Sequence, residues 1–196
     1  MLAYSGGDVS VGDGPTFAPA SSMLVVADGS GAFKADAAGA PCVHFGGITK
    51  EAWAVRDPSG EPSLSRVPYF WVAAAPTAPP TAVRAFKGEA GEAASTLLTS
   101  LQNHPGTASA GTLRTAGLFP CFTRGVNKYG AENVESDAVS RVIPRDARLY
   151  GMFAHGELGP TSTDEDGGVV AGGGGGAKVA CTQHGGTTIL AIHVEE

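Results

Sequence analysis

Apolar runs in this chain are short, and almost every one is closed by glycine or proline. "MLVVA" (23–27) lies between "PASS" and "DGSG", "YFWVA" (69–73) lies between prolines, and "TTILAIHVE" (187–195) follows a Gly-Gly pair. Proline removes a backbone donor and glycine favours turns, so such a chain cannot build long helices and must fold through short strands and connecting turns. The 29 glycines and 13 prolines, against 16% charged residues, exclude a helical bundle, while 42% apolar content is enough for a packed core. At 196 residues that core belongs to one domain, or to one domain with an irregular arm.

The period changes once, after the Pro-rich connector "APTAPPTAV". Ala90, Ala94, Leu97, Leu98 and Leu101 recur at helical spacing, with Glu89 and Glu92 where the amino-terminal dipole favours acid and Pro105-Gly106 as the stop. "TLRTAGLFPCF" then reads as a strand, and "GAENVESDAVSRVI" as a second helix ended by Pro144. "ARLYGMFAH" reads as another strand, and "TTILAIHVE" as the last. The expected fold is α+β: a mixed, mainly antiparallel sheet carrying two main helices, with Gly-rich loops. The segments 112–121, 148–155 and 187–194 are expected as neighbouring strands within a stable core over 111–196. Residues 1–85 read as a turn-rich β segment joined to a carboxy-terminal unit, 86–196, as one structure. "TSTDEDGGVVAGGGGGAKVAC" reads as an exposed hairpin or flexible loop. Its five glycines lack the GK[ST] that a phosphate cradle requires.

A formal charge of −6 with no Lys/Arg run argues against a nucleic-acid partner, and no apolar segment has the length of a membrane span. Without a signal-peptide core, a cytoplasmic or nuclear location is expected. Cys42, Cys121 and Cys181 are odd in number and widely spaced, which suggests reduced thiols rather than a disulfide framework or a structural zinc site.

Taken in order, "GLFPCFTRG", "NVESDAV", "RLYGMFAHGELGP" and "HGGTTILAI" resemble the carboxy-terminal domain of the FIST family (F-box and intracellular signal transduction proteins), most closely its eukaryotic F-box members. The residues that carry the resemblance are Phe119, Cys121, Arg124, Gly125, Glu135, Gly151, Phe153, Gly156, Glu157, Leu158, Gly159 and Thr187. It covers about the last 85 residues, and the amino-terminal segment matches only loosely. No stretch has the leucine-proline-rich helical pattern of an F-box, so docking to a Skp-type adaptor does not carry over. The resemblance implies a non-enzymatic domain that senses a small ligand or recognises a protein substrate in an SCF-type ubiquitin ligase pathway. The ligase components would then come through another chain or an absent F-box.

The candidate ligand-binding set is Cys121, Arg124, Gly125, His155, Gly156 and Glu157, with no cofactor and no metal expected. Arg124, three residues after Cys121, can lower the thiol pKa, making Cys121 the most reactive of the three thiols ahead of Cys181 and Cys42. A small buried apolar role for Cys121 is the alternative. The expected partner of the Arg124 guanidinium is Glu157. Gly156 and Gly159-Pro160 read as a strand end, which leaves Glu157 in a turn with its carboxylate accepting backbone N–H groups. Two further arrangements remain open. One is Cys121, His155 and Glu157 as nucleophile, base and orienter of a cysteine-dependent hydrolase or transferase. The other is Cys181, His184 and His155 as a metal half-site. A purely structural interaction domain is the third class.

Overall fold

A computed structural model of the chain describes residues 9–12, 22–29, 42–56, 63–67, 69–74, 80–104, 113–161, 168–171 and 179–194. The polyglycine run, the acidic stretch before it and Pro105-Gly106 lie outside these residues. The fold is α+β, built from two mixed, mostly antiparallel sheets with helices on one of them.

The first sheet contains β1 (Val9–Gly12), β2 (Ser22–Asp28), β3 (Val43–Thr49), β6 (Tyr69–Ala74), β10 (Gly156–Pro160) and β12 (Cys181–His184), in the order β1-β6-β2-β3-β10-β12. The second contains β7 (Thr81–Phe86), β8 (Leu113–Pro120), β9 (Arg148–Gly151), β11 (Val169–Ala171) and β13 (Thr188–Val194), in the order β11-β7-β13-β8-β9. A hairpin of β4 (Ala52–Arg56) and β5 (Ser63–Val67) forms a separate two-stranded sheet, packed on the first through Val67 against Val26. Strands from before and after residue 85 share the first sheet, where β10 pairs with β3, and β7, which itself runs through residue 85, pairs with β13 in the second.

The central strand β13 has both faces covered, which is why its sequence is almost continuously apolar instead of alternating. Leu190, Ile192 and Val194 face the helices, packing with Leu118 of β8 and with Leu97 and Leu101 of α1 (Ala90–Gln102). Ile189 and Ala191 face the other sheet, against Leu24, Val43, Phe45 and Phe119. The molecule therefore has three layers, sheet on sheet on helix. The 112–121, 148–155 and 187–194 segments are neighbours as the sequence suggests, with β13 antiparallel to β8 and β8 parallel to β9.

The second helix is shorter than its periodicity implies. α3 spans Val134–Ser140 only, because Asn133 takes a left-handed conformation at φ 59° just before it. Gly130, also left-handed at φ 67°, terminates a separate short helix, α2 (Val126–Tyr129). β3 and β7 have no clear strand signature: "VHFGGIT" carries adjacent glycines, and "TAVRAF" carries a charge.

His193 lies between the sheets, 2% exposed. Its Nδ1 is 3.1 Å from Thr81 Oγ1, which also accepts from Ser22 Oγ at 3.2 Å, and its Nε2 is 2.7 Å from the Tyr150 hydroxyl. Burial pushes this imidazole down from the usual 6.5 to about 4. The folded chain holds it neutral while the unfolded chain takes up a proton. The stability it contributes is fully present above pH 6.5 and is lost as pH falls through 4, a loss of about 3 kcal/mol. His44, lowered by burial as well, acts in the same direction. Urea midpoints between pH 7 and 4 should fall on this account, and His193→Gln should flatten the slope while lowering the plateau. An unchanged slope in that variant would contradict the assignment.

Candidate functional site

The segment "GMFAHGELGP" carries the chain from one sheet to the other. After β9 the strand leaves β8 with two last ladder bonds, Met152 N–H to Leu118 O at 3.3 Å and Ala154 N–H to Pro120 O at 2.8 Å. His155 N–H then donates to Ile48 O at 2.7 Å, and β10 begins between β3 and β12. "GELGP" is thus a fully buried strand rather than a turn. Its glycines serve close packing: a Cβ on Gly159 would lie 2.6 Å from Ile189 Cδ1, and one on Gly156 would meet the Gln183 side chain.

Beside this crossing is an open pocket of about 360 Å³. It lies between the α2–α3 connection and the β8–β9 end of the second sheet, with walls of Leu118, Pro120, Val134, Leu149 and Met152. Phe153 lines it as well and is 58% exposed, and Phe122 and Val126 nearby are half-exposed. Gly125 allows Phe153 to approach, since a Cβ there would be 3.3 Å from the ring.

The polar part of the lining is formed by Arg124, Glu135 and Tyr129. Arg124, 3% exposed, donates through Nε to Glu135 Oε1 at 2.8 Å and through Nη2 at 2.5 Å. It also donates to Lys87 O at 2.7 Å and Gly88 O at 3.0 Å, and its guanidinium lies 5.4 Å from the Phe86 ring centroid. The Tyr129 hydroxyl donates to Glu135 Oε1 at 2.6 Å, and Thr188 Oγ1 donates to Oε2 at 2.8 Å. Burial, with the Glu135 hydrogen bond, pushes the Tyr129 phenol up to about 12. This cluster ties the end of β7, α3 and the start of β13 together. Its charges satisfy each other, so the pocket is suited to an apolar or neutral group and offers no spare cation to an anion.

The expected Arg124–Glu157 bridge is therefore corrected. Arg124 pairs with Glu135, while Glu157, completely buried in β10, accepts from Thr187 Oγ1 at 2.9 Å and Thr187 N–H at 3.4 Å. The reason is the sheet crossing, which turns Glu157 into the space between the sheets. Of the six candidate site residues, Arg124 and Gly125 line the pocket; Cys121, His155, Gly156 and Glu157 do not. His155 is exposed with its ring 4.9 Å from that of Phe122. Sequence reasoning missed Tyr129, Val134, Leu149 and Tyr150 as pocket residues and gave Glu135 no partner. The one available signal was Glu135 itself, an acid opening a helix in the resemblance pattern.

Neither alternative arrangement is assembled. The Cys121 thiol accepts from Thr123 Oγ1 at 3.1 Å, and among the described residues no hydrogen bond links Cys121, His155 and Glu157. His184 Nε2 is 2.7 Å from Pro160 O, and Cys181 accepts from His44 N–H at 3.3 Å. No group of His, Cys, Asp and Glu among the described residues could hold a metal.

Cys121 is 5% exposed, covered by the 152–155 segment through its bridge to Ala154, and the Arg124 guanidinium turns to Glu135. The exposed, fast-reacting thiol expected from the sequence is thus not formed. Burial, reinforced by Cys181, pushes Cys42 up to about 12, and burial raises Cys181 as well. All three thiols should resist iodoacetamide in the folded protein and react together once denaturant is added, read site by site by mass spectrometry. Native labelling of Cys121 would contradict its placement. No known protein family matches the chain, and no curated protein matches it. No helix among the described residues is long and apolar enough to cross a membrane.

Proposed function

We propose that the chain is a non-enzymatic, FIST-type binding domain acting in the cytoplasm or nucleus. Its ligand is a small molecule or the protein target of a ubiquitin ligase whose other components come from another chain. The observation that carries this reading is the open, apolar-walled pocket of about 360 Å³ over a self-satisfied Arg124–Glu135–Tyr129 cluster. A concave, largely preformed site with few polar groups suits binding better than proton or group transfer. Among the residues that carry the FIST resemblance, two pairs are hydrogen-bonded: Arg124 with Glu135 in the pocket lining, and Glu157 with Thr187 outside it. Gly151, also among them, lets the pocket wall form, because a Cβ there would overlap the Leu118 carbonyl oxygen.

The methionines provide the test. Met152 lines the pocket, whereas Met23 is fully buried in the other sheet's outer cluster. With methyl-labelled methionine, a panel of metabolites and short peptides should contain compounds that shift the Met152 resonance saturably and leave Met23 unmoved. A panel in which every binder moves Met23 and none moves Met152, or which contains no binder, would overturn the reading.

A further inference from the structure

We infer that the pocket and the free edge of β9 together take an extended peptide, one that adds a strand to β9, places an apolar side chain in the pocket and carries acid near Arg148. This rests on the pocket being a binding site and names the class of its ligand.

The geometry starts from the sheet order. Among the described residues β9 is the last strand of the second sheet and pairs with β8 alone. In a parallel ladder, alternate residues bond to the same neighbour. Met152 and Ala154 donate to β8, and the same parity assigns Tyr150 to that side. The peptide groups of Leu149, Gly151 and Phe153 therefore point away from the sheet, and among the described residues none of them has a hydrogen-bond partner. Such an edge is a template for another strand.

The pocket belongs to that edge. Its lining runs without a gap from Leu149 to Phe153. Leu149 packs toward the helices and Tyr150 toward the other sheet, so a pocket touching both wraps around the edge of the strand. A peptide backbone paired with Leu149 and Gly151 would bring a side chain to the pocket mouth, against Val134 and the exposed Phe153 ring.

Charge selects the rest of the peptide. The connection from α3 into β9 carries Arg141, Arg145 and Arg148, all exposed and in no ion pair among the described residues, with Asp146 as its only acid. On a chain of net charge −6, this is a locally basic head to the strand. It favours an acidic residue where the peptide passes over Arg148 and disfavours a basic one.

The test pans short random peptides displayed on phage against the full chain, then follows a synthetic copy of the strongest binder by residue-resolved amide exchange. Binding should slow exchange at Leu149, Gly151 and Phe153 by more than about tenfold, and leave Tyr150 and Met152, already bonded to β8, little changed. N-methylation of alternate peptide amides should weaken binding about tenfold at one parity and hardly at the other. Phe153→Ala should weaken it by a similar factor. Arg148→Glu should weaken an acidic peptide, and exchanging that peptide's acid for lysine should restore binding. Peptides that shift the Met152 methyl without protecting these amides would overturn the added strand and leave the pocket reading intact. A library without binders would overturn the inference too, and small molecules that still move Met152 would keep the pocket. If neither peptide nor small molecule moves Met152, both fall.

Discussion

Glu135→Ala is expected to destabilise the fold by about 3–5 kcal/mol, because it strands the buried Arg124 guanidinium without its carboxylate. Three donors converge on that one side chain besides Arg124 Nε: Arg124 Nη2, Tyr129 and Thr188. The main-chain acceptors at Lys87 and Gly88 remain in the variant but carry no negative charge. Glu135→Gln keeps an acceptor oxygen in place and should lose clearly less than the alanine variant. Replacing both members, Arg124→Met with Glu135→Leu, removes the stranded charge as well as the pair and should recover part of the loss. Urea denaturation of the four proteins checks the order. Equal midpoints for wild type and Glu135→Ala would show that the pair does not hold the fold. By contrast, Glu157→Ala should leave the Arg124 contacts untouched and act through the lost Thr187 hydrogen bonds and the space vacated in the core.

The second large effect belongs to two glycines. Gly151→Ala and Gly46→Ala should each cost about 4 kcal/mol, well beyond the usual cost of a glycine-to-alanine change in a strand. Gly151 has φ +151° and lies opposite Leu118, whose carbonyl oxygen a Cβ would overlap. Gly46 has φ +137° and lies opposite Val25, with the same conflict at the Val25 carbonyl. The obstacle in both cases is backbone of the neighbouring strand, which a rotamer change cannot relieve. Gly130→Ala is the control: its φ of +67° carries the usual left-handed strain, but no atom lies within 4 Å of the added Cβ, so a loss of only about 1 kcal/mol is expected. Gly151→Ala losses no larger than those of Gly130→Ala would contradict the close approach of β9 to β8.

The legible parts of the fold are those where one local rule acts without opposition. α1 has its apolar stripe and acidic start, and β13 and β6 have dense β-formers between turn residues, so period and composition agree. "GELGP" fails because two rules oppose. Its glycines and proline favour a turn locally, but the strand lies between β3 and β12, where small residues let Ile189 and Gln183 pack against it. Tertiary packing decides, and a sequence pattern cannot register it. At the site, the need of Arg124 for a carboxylate is legible, since a buried guanidinium must be paired. The choice of carboxylate is not, because Glu135 and Glu157 are both acids in apolar surroundings. Only the sheet crossing at His155 turns Glu157 away toward Thr187. The pocket itself has no linear signature: its walls come from β8, the 129–136 connection and the edge of β9.

The central claim is that this pocket binds the ligand, and it is tested most directly by filling it. Ala131 lines the pocket and is exposed, so Ala131→Trp adds bulk at the mouth without removing a core contact. The compound selected by its Met152 response should bind this variant at least about tenfold more weakly than wild type, with the urea midpoint unchanged. An identical Kd for the two proteins would contradict the account.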